Sequence, residues 1–249
     1  TYNVGCGTHA LYTNTTGGYN TACGSESLFD NTTGSNNTAS GYKALYNNTT
    51  ANGNSAFGYY ALYNNTTGYE NVAVGLGAML SNTSGYLNIA LGKDALYTNS
   101  TGSNNLAMGY GTMYNNTTAN YNVALGARAL ENNTTASSNT AVGAYALHIA
   151  TYSEENTAVG YQALYSSTTA GQNVVSGYYA MKLNTTGSGN TASGYNALYT
   201  NTTGHYNTAI GRQSLYSNTT AQYNTAVGYK ALYANTTGTY NAAFGGGST

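Results

Sequence analysis

The sequence predicts an all-β chain, a parallel β-solenoid (β-roll) built from 17-residue coils, and three observations predict it. Asparagine stands at 3, 20, 37, 54, 71, 88, 105, 122, 139, 156, 173, 190, 207, 224 and 241, with no insertion or deletion. Glycine follows four residues later each time, from Gly7 and Gly24 through to Gly228 and Gly245. Seventeen residues are too few for a helix-turn-helix repeat, which needs roughly 30 or more, and the Gly, Asn, Thr and Tyr content disfavours helix. A strict short period means one structural unit stacked on copies of itself. The domain organisation follows. A single repeat domain covers 1–249, with 14 full coils over 3–240, then a partial coil and a Gly-rich tail over 241–249.

Counted from each periodic asparagine, the averaged unit reads Asn-Thr-Ala-(Val/Leu/Ser)-Gly-Tyr-x-Ala-Leu-Tyr-x-Asn-Thr-Thr-(Gly/Ala)-x-(Tyr/Asn). Two short strands joined by Asn- and Gly-rich corners are expected in each coil. Parallel ladders then set neighbouring coils about 4.7–4.9 Å apart, so fourteen coils would extend about 65–70 Å. Position 9 is Leu or Met in each copy (Leu11, Leu45, Met79, Met113, Leu164, Leu232) and is the expected interior ladder. Position 3 is Ala in 13 of 15 copies, Gly5 and Val175 excepted, and position 5 is Gly, so these two are expected to share a face that admits only small groups. Position 4 points the other way, yet it is Cys6, Cys23, Phe57, Val74, Leu91, Met108, Val142, Ile210 or Phe244, with Ser in three copies. Strands apolar on both faces are normally covered on both. The second face therefore implies a partner, most simply two more copies around a common axis: a trimer or another close multimer. A lone solenoid with an apolar outer wall is the competing reading.

The composition narrows the functional classes. There are 32 Gly, 28 Tyr, no Pro and no Trp, and only 5% of residues are charged, which is unlike an ordinary globular domain. A formal charge of -1 and abundant aromatics also argue against disorder. With neither a basic patch nor an acidic tract, nucleic acid and anionic membrane are not expected partners. No apolar run of about 18 residues is present, so no membrane insertion is expected. Thr1 and Tyr2 already fit the last two positions of a repeat, and there is no initiating Met, as expected of a processed product or a segment of a longer protein.

The motif Asn-Thr-Ala-Val-Gly-Tyr-x-Ala, as at 156–163 and 224–231, resembles the head repeats of trimeric autotransporter adhesins. The longer Asn-Thr-Ala-Val-Gly-Tyr-Gln-Ala-Leu at 156–164 is still more similar to repeats of bacterial and phage fibre proteins. This resemblance covers the whole chain. It implies a trimeric β-roll, an extracellular setting on a cell-surface appendage or a virion, and a role in reach and adhesion. The unit of 17 residues is longer than the usual head repeat, and no coiled-coil stalk, membrane anchor or chaperone domain accompanies it.

Several residues carry candidate chemistry. Asparagine at position 12, followed by two Thr/Ser residues, makes a glycosylation sequon in 12 of 14 copies: Asn14, Asn31, Asn48, Asn65, Asn82, Asn99, Asn116, Asn133, Asn184, Asn201, Asn218 and Asn235. One reading is a glycan-coated fibre. The other is a corner ladder, each amide bonding to the one above. Glycans about 4.8 Å apart would crowd, which favours the ladder. The Thr-Thr pairs offer one outward Thr per coil, a weak basis for ice binding. Tyr at positions 6 and 10 is either a glycan or receptor platform or a stabilising cross-strand stack, with the stack favoured.

Cys6 and Cys23 occupy one position in adjacent coils and are expected to be buried free thiols. The irregular coil 139–155 should set His148 one layer above Glu131, at an exposed corner, and two groups do not make a closed metal-ligand set. Gly75-x-Gly77 belongs to the period and not to a phosphate loop. His9, His148 and His205 lie far apart in the chain, and no nucleophile–base–orienter set is visible, so neither an enzyme, a metal nor a cofactor is expected. The expected function is structural: a stiff solenoid segment of an extracellular filament, adhesin or tail fibre, whose partners are copies of itself, as a trimer or end to end. A module recognising surface glycans through Tyr and Asn/Thr ladders is the alternative.

Overall fold

The computed structural model describes residues 2–246. The chain is all-β, a parallel β-solenoid whose coils repeat every 17 residues. Its coils group into two compact units, Thr1–Asn122 and Val123–Thr249. In the first unit lie β1 (Val4–Cys6), β2 (Thr21–Cys23), β3 (Thr38–Ser40), β4 (Ser55–Phe57), β5 (Val72–Val74), β6 (Ile89–Leu91) and β7 (Leu106–Met108). In the second lie β8 (Val123–Leu125), β9 (Thr140–Val142), β10 (Thr157–Val159), β11 (Val174–Ser176), β12 (Thr191–Ser193), β13 (Thr208–Ile210), β14 (Thr225–Val227) and β15 (Ala242–Phe244). Within each unit successive strands pair in parallel and like sits over like: Ala39 faces Ala56, Ala56 faces Ala73, and Ala141 faces Ala158. The Gly-rich tail falls outside the described residues from 247 onward, whereas Ala242–Phe244 before it pairs with β14.

Each coil holds one three-residue strand, at positions 2–4, and not the two strands expected. Positions 6–11 form consecutive turns instead, closed inside the coil by bonds such as Ala44 N–H to Gly41 O (3.3 Å) and Asn48 N–H to Leu45 O (3.2 Å). The turn segment still pairs between coils, for example Leu45 N–H to Ala61 O at 3.0 Å. Backbone donors are therefore met without β geometry, which satisfies the same requirement that a strand would.

The interior is slim. Away from the end coils, the position 3 and position 8 alanines and the position 9 Leu or Met are buried, as at Ala56, Ala61 and Leu62, or Ala158, Ala163 and Leu164. Position 5 is not the inward partner of position 3 that alternation predicts. Its glycines are half-exposed corners with φ between 123° and 145°. A Cβ at Gly58 would lie 2.5 Å from the Gly75 carbonyl oxygen, and one at Gly160 would lie 2.5 Å from that of Gly177. Glycine is needed there for backbone conformation and for the close approach of the next coil, not to fill a small interior face.

Three further residues per coil are left-handed, at positions 7, 9 and 17. Position 9 adopts φ of 47–56° even though it is Leu or Met, and position 17 includes Tyr121 (φ 59°) and Leu87 (φ 55°). A non-glycine residue in this region costs about 1–2 kcal/mol. The strain persists because both neighbouring coils fix the same backbone from above and below. Two expectations follow for chemical denaturation. Gly160→Ala should destabilise by roughly 1–3 kcal/mol, since Ala suits neither the dihedral nor the space. Gln213→Gly, at a left-handed position that Gly77 and Gly111 already occupy, should stabilise by about 1 kcal/mol. An opposite sign in either variant would contradict these dihedral assignments.

Candidate functional site

Side-chain chemistry in this fold is arranged as columns, one member per coil. The first column is the position 1 asparagine. Asn71 is fully buried, and its Nδ2 donates to Gly85 O (2.8 Å) and to Asn54 Oδ1 (3.2 Å). Its Oδ1 accepts both the backbone N–H of Asn88 (3.0 Å) and Asn88 Nδ2 (3.2 Å). Both amide hydrogens and both lone pairs are used, which is the full capacity of the group.

The second column is the position 12 asparagine. Asn65 Nδ2 donates to Asn48 Oδ1 (3.0 Å) and Gly68 O (2.8 Å), and its Oδ1 accepts from Asn82 Nδ2 (2.7 Å). The carbonyl of Gly68 also accepts from Asn54 Nδ2 (2.8 Å), so one carbonyl ties both columns together and closes the coil.

This geometry bears on each sequon. Asn31, Asn48, Asn65, Asn82, Asn99, Asn116, Asn133, Asn184, Asn201 and Asn218 are fully buried, while Asn14 and Asn235 at the outer coils are half-buried. A glycan replaces one hydrogen on Nδ2. At Asn31, Asn48, Asn65, Asn82, Asn99, Asn201 and Asn218 both hydrogens are already donated, one to the neighbouring asparagine and one to a carbonyl three residues on. Ladder and glycan are mutually exclusive at those atoms. The column is interrupted where Ala150 and Ser167 replace asparagine, and there Ser153 Oγ and Ser167 Oγ bond to each other at 2.7 Å.

Next to the second column, the position 13 hydroxyl is consumed as well. Thr32 Oγ1 donates to Thr49 O at 3.0 Å, and the N–H groups of Thr32, Thr33 and Gly34 converge on that same carbonyl. The outward threonine of each pair is position 14, such as Thr33, Thr50 and Thr67. A further column was not visible in the sequence. Position 16 side chains cap the position 16 N–H of the preceding coil, as in Gly18 N–H to Ser35 Oγ (3.1 Å), Ser35 N–H to Asn52 Oδ1 (2.7 Å) and Ser188 N–H to His205 Nδ1 (3.0 Å). The only available signal was the recurrence of Ser and Asn there.

The tyrosines stack along the coils. Tyr97–Tyr114 lie 4.9 Å apart at 3°, Tyr199–Tyr216 5.3 Å at 4°, and Tyr223–Tyr240 5.0 Å at 6°. Rings so placed cover one another's faces and turn edges and hydroxyls outward. Cations fill aromatic slots: Arg212 lies 5.7 Å from both the Tyr195 and Tyr229 rings, and Lys182 lies 4.2 Å from the Tyr179 ring. A hydrogen bond with Tyr179, and then burial, push the Tyr178 phenol up to about 12.

His148 and Glu131 meet as the register predicts, with Nδ1 and Oε2 3.3 Å apart, and Arg128 lies 3.7 Å from the same oxygen. The site is less open than an exposed corner, because the His148 and Glu131 side chains are only 13% and 19% exposed. His148 takes an aromatic slot and stacks on Tyr165 at 5.0 Å. Cys6 and Cys23 are free thiols as expected, but both are exposed and not buried. Position 4 faces outward beside position 2, so its apolar character does not reflect burial within the chain. Gly75 and Gly77 occupy the left-handed corners of their coil. Among the described residues no group of three or more His, Cys, Asp and Glu side chains gathers, and no helix is long and apolar enough to cross a membrane. No family model, curated protein or solved structure matches the chain.

Asn65→Ala should cost roughly 2–5 kcal/mol in denaturant unfolding, because it strands Asn48 Oδ1 and one Asn82 amide hydrogen in the interior. A loss below about 1 kcal/mol would show that the buried amides are not coupled.

Proposed function

We propose that this protein is a non-enzymatic structural element, a stiff β-solenoid segment of an extracellular filament, adhesin or tail fibre. The observation that carries this reading is the double bracing between coils: continuous parallel backbone pairing outside and saturated amide columns inside. Such an arrangement resists bending and proteolysis, since buried amides such as Asn65 and Asn71 are held by the coils on both sides. The columns leave their chemistry spent on one another. Stacked tyrosines present edges in place of open faces, which weighs against a stacking platform for sugars.

Copies of the same chain are the partner this reading requires. Positions 2 and 4 form an outward apolar stripe along the strands, with Phe57 and Ile210 each 42% exposed and Val174 54% exposed. Exposed apolar side chains recurring at positions 2 and 4 among Thr and Ser, in a chain with 5% charged residues, mark a surface meant to be covered. We assign that cover to further copies, as a trimer or another close multimer, on a cell-surface appendage or virion.

Sedimentation equilibrium tests this. The protein should sediment as a multimer, and F57K/V74K should sediment as one chain with an unchanged β-rich circular dichroism spectrum. A wild-type protein that sediments as a single chain, with binding on a glycan array, would replace this reading with the recognition module.

A further inference from the structure

We propose that Cys6 and Cys23 form a binding site for a soft monovalent d10 metal ion, held as a linear dithiolate, with Cu(I) as the probe. Cys6 in β1 and Cys23 in β2 are direct register partners on neighbouring parallel strands. Both thiols are free, and both are exposed on the outward face at position 4. In-register side chains leave the two backbones in the same direction, so their sulfurs repeat at the strand spacing of about 4.7–4.9 Å when they share a rotamer.

That spacing selects the chemistry. A disulfide asks for Cβ atoms about 3.5–4.5 Å apart, closer than the ladder holds them. Zinc–thiolate bonds are about 2.3 Å. A two-coordinate metal–sulfur bond of that length or slightly shorter gives a collinear span of at most about 4.6 Å, which the ladder supplies with a small side-chain adjustment and no backbone movement. Thiolates are soft ligands and favour Cu(I). Zinc wants four ligands in a tetrahedron, and no third His, Cys, Asp or Glu joins the pair among the described residues. The next residue in the column is Ser40, a hard oxygen one coil further on. Binding replaces two S–H bonds by two metal–sulfur bonds. One cation enters, two protons leave to solvent, and the bridged unit carries a net negative charge with no change of oxidation state. Both ligands come from one chain, and they lie on the position 4 face assigned above to packing between copies, so the test uses the protein in its assembled state.

The test is competition between the intact protein and a chromogenic Cu(I) chelator under anaerobic, reducing conditions. The wild type should retain one Cu(I) per chain. C6S and C23S should each bind about 100-fold more weakly or worse, as expected when a second tethered ligand is lost. Two double variants separate register from mere thiol content. C6S/S40C keeps two thiols in adjacent coils and should bind like the wild type. C23S/S40C places them two coils apart, about 9.5 Å, and should bind like a single-thiol variant. Serine already occupies this position at Ser176 and Ser193, so the fold should tolerate every variant, and circular dichroism checks this. Retention of no Cu(I) by the wild type, or equal binding by the two double variants, would overturn the proposal. Neither outcome bears on the structural role proposed above, which the sedimentation experiment decides separately.

Discussion

Buried asparagine fixes everything else in this fold. A primary amide brings two donors and one two-lone-pair acceptor into the interior, and leaving any of them unmet costs about 1–3 kcal/mol. Asn71 meets all four demands, but only when another asparagine lies one coil above and one coil below. A slip of one residue would set Gly53 or Ser55, in place of Asn54, against Asn71. Amides thus reward one register and penalise every other, something the Leu and Ala interior alone cannot do. Two such columns, joined at carbonyls such as that of Gly68, define the cross-section of each coil.

The same register explains how so much unfavourable backbone is tolerated. Left-handed Leu, Met, Tyr and Lys residues recur at fixed positions, and each alone would be an outlier. Stacking makes the conformation cooperative: a coil that relaxed one left-handed residue would lose pairing to both neighbours at once. Glycine at position 5 contributes differently. Its dihedral, and the next coil's carbonyl, which a Cβ would meet at about 2.5 Å, leave no room for another side chain.

Much of this was legible in the sequence, because it rests on periodicity. The coil length, the interior Leu/Met and Ala ladders, the pairing of His148 with Glu131 and the parallel register all follow from one spacing. What was not legible depends on backbone dihedrals, to which residue type is only a loose guide. Positions 6–11 carry Tyr, Ala and Leu in a pattern that suits a strand, yet they fold as turns. The clue lay in the minority residues: Gly77, Gly111 and Asn196 at position 7, and Gly53, Gly189, Asn36 and Asn104 at position 17. These are the residue types that enter the left-handed region most easily. Cys6 and Cys23 are expected to be buried because free thiols usually behave as small hydrophobes, yet they sit on the outward position 4 face and are exposed on the chain. The position 16 caps use Ser, Asn and His interchangeably, and so left no consensus to read.

What the outside of the coils offers is repetition at a spacing set by the backbone. Stacked phenols, the outward threonines and the apolar stripe at positions 2 and 4 all inherit that spacing, as does the thiol pair. The central claim, that 17 residues form the indivisible unit of this fold, is tested most directly by comparing two deletions. Removing 54–70 takes out one whole coil and brings Asn71 into register behind Gly53. Removing 54–61 takes out fewer residues but breaks both amide columns. Thermal unfolding followed by circular dichroism should leave the whole-coil deletion within a few degrees of the intact protein and lower the midpoint of the half-coil deletion far more. If the shorter deletion were tolerated as well as the longer one, registry by buried asparagine could not be what holds the coils together.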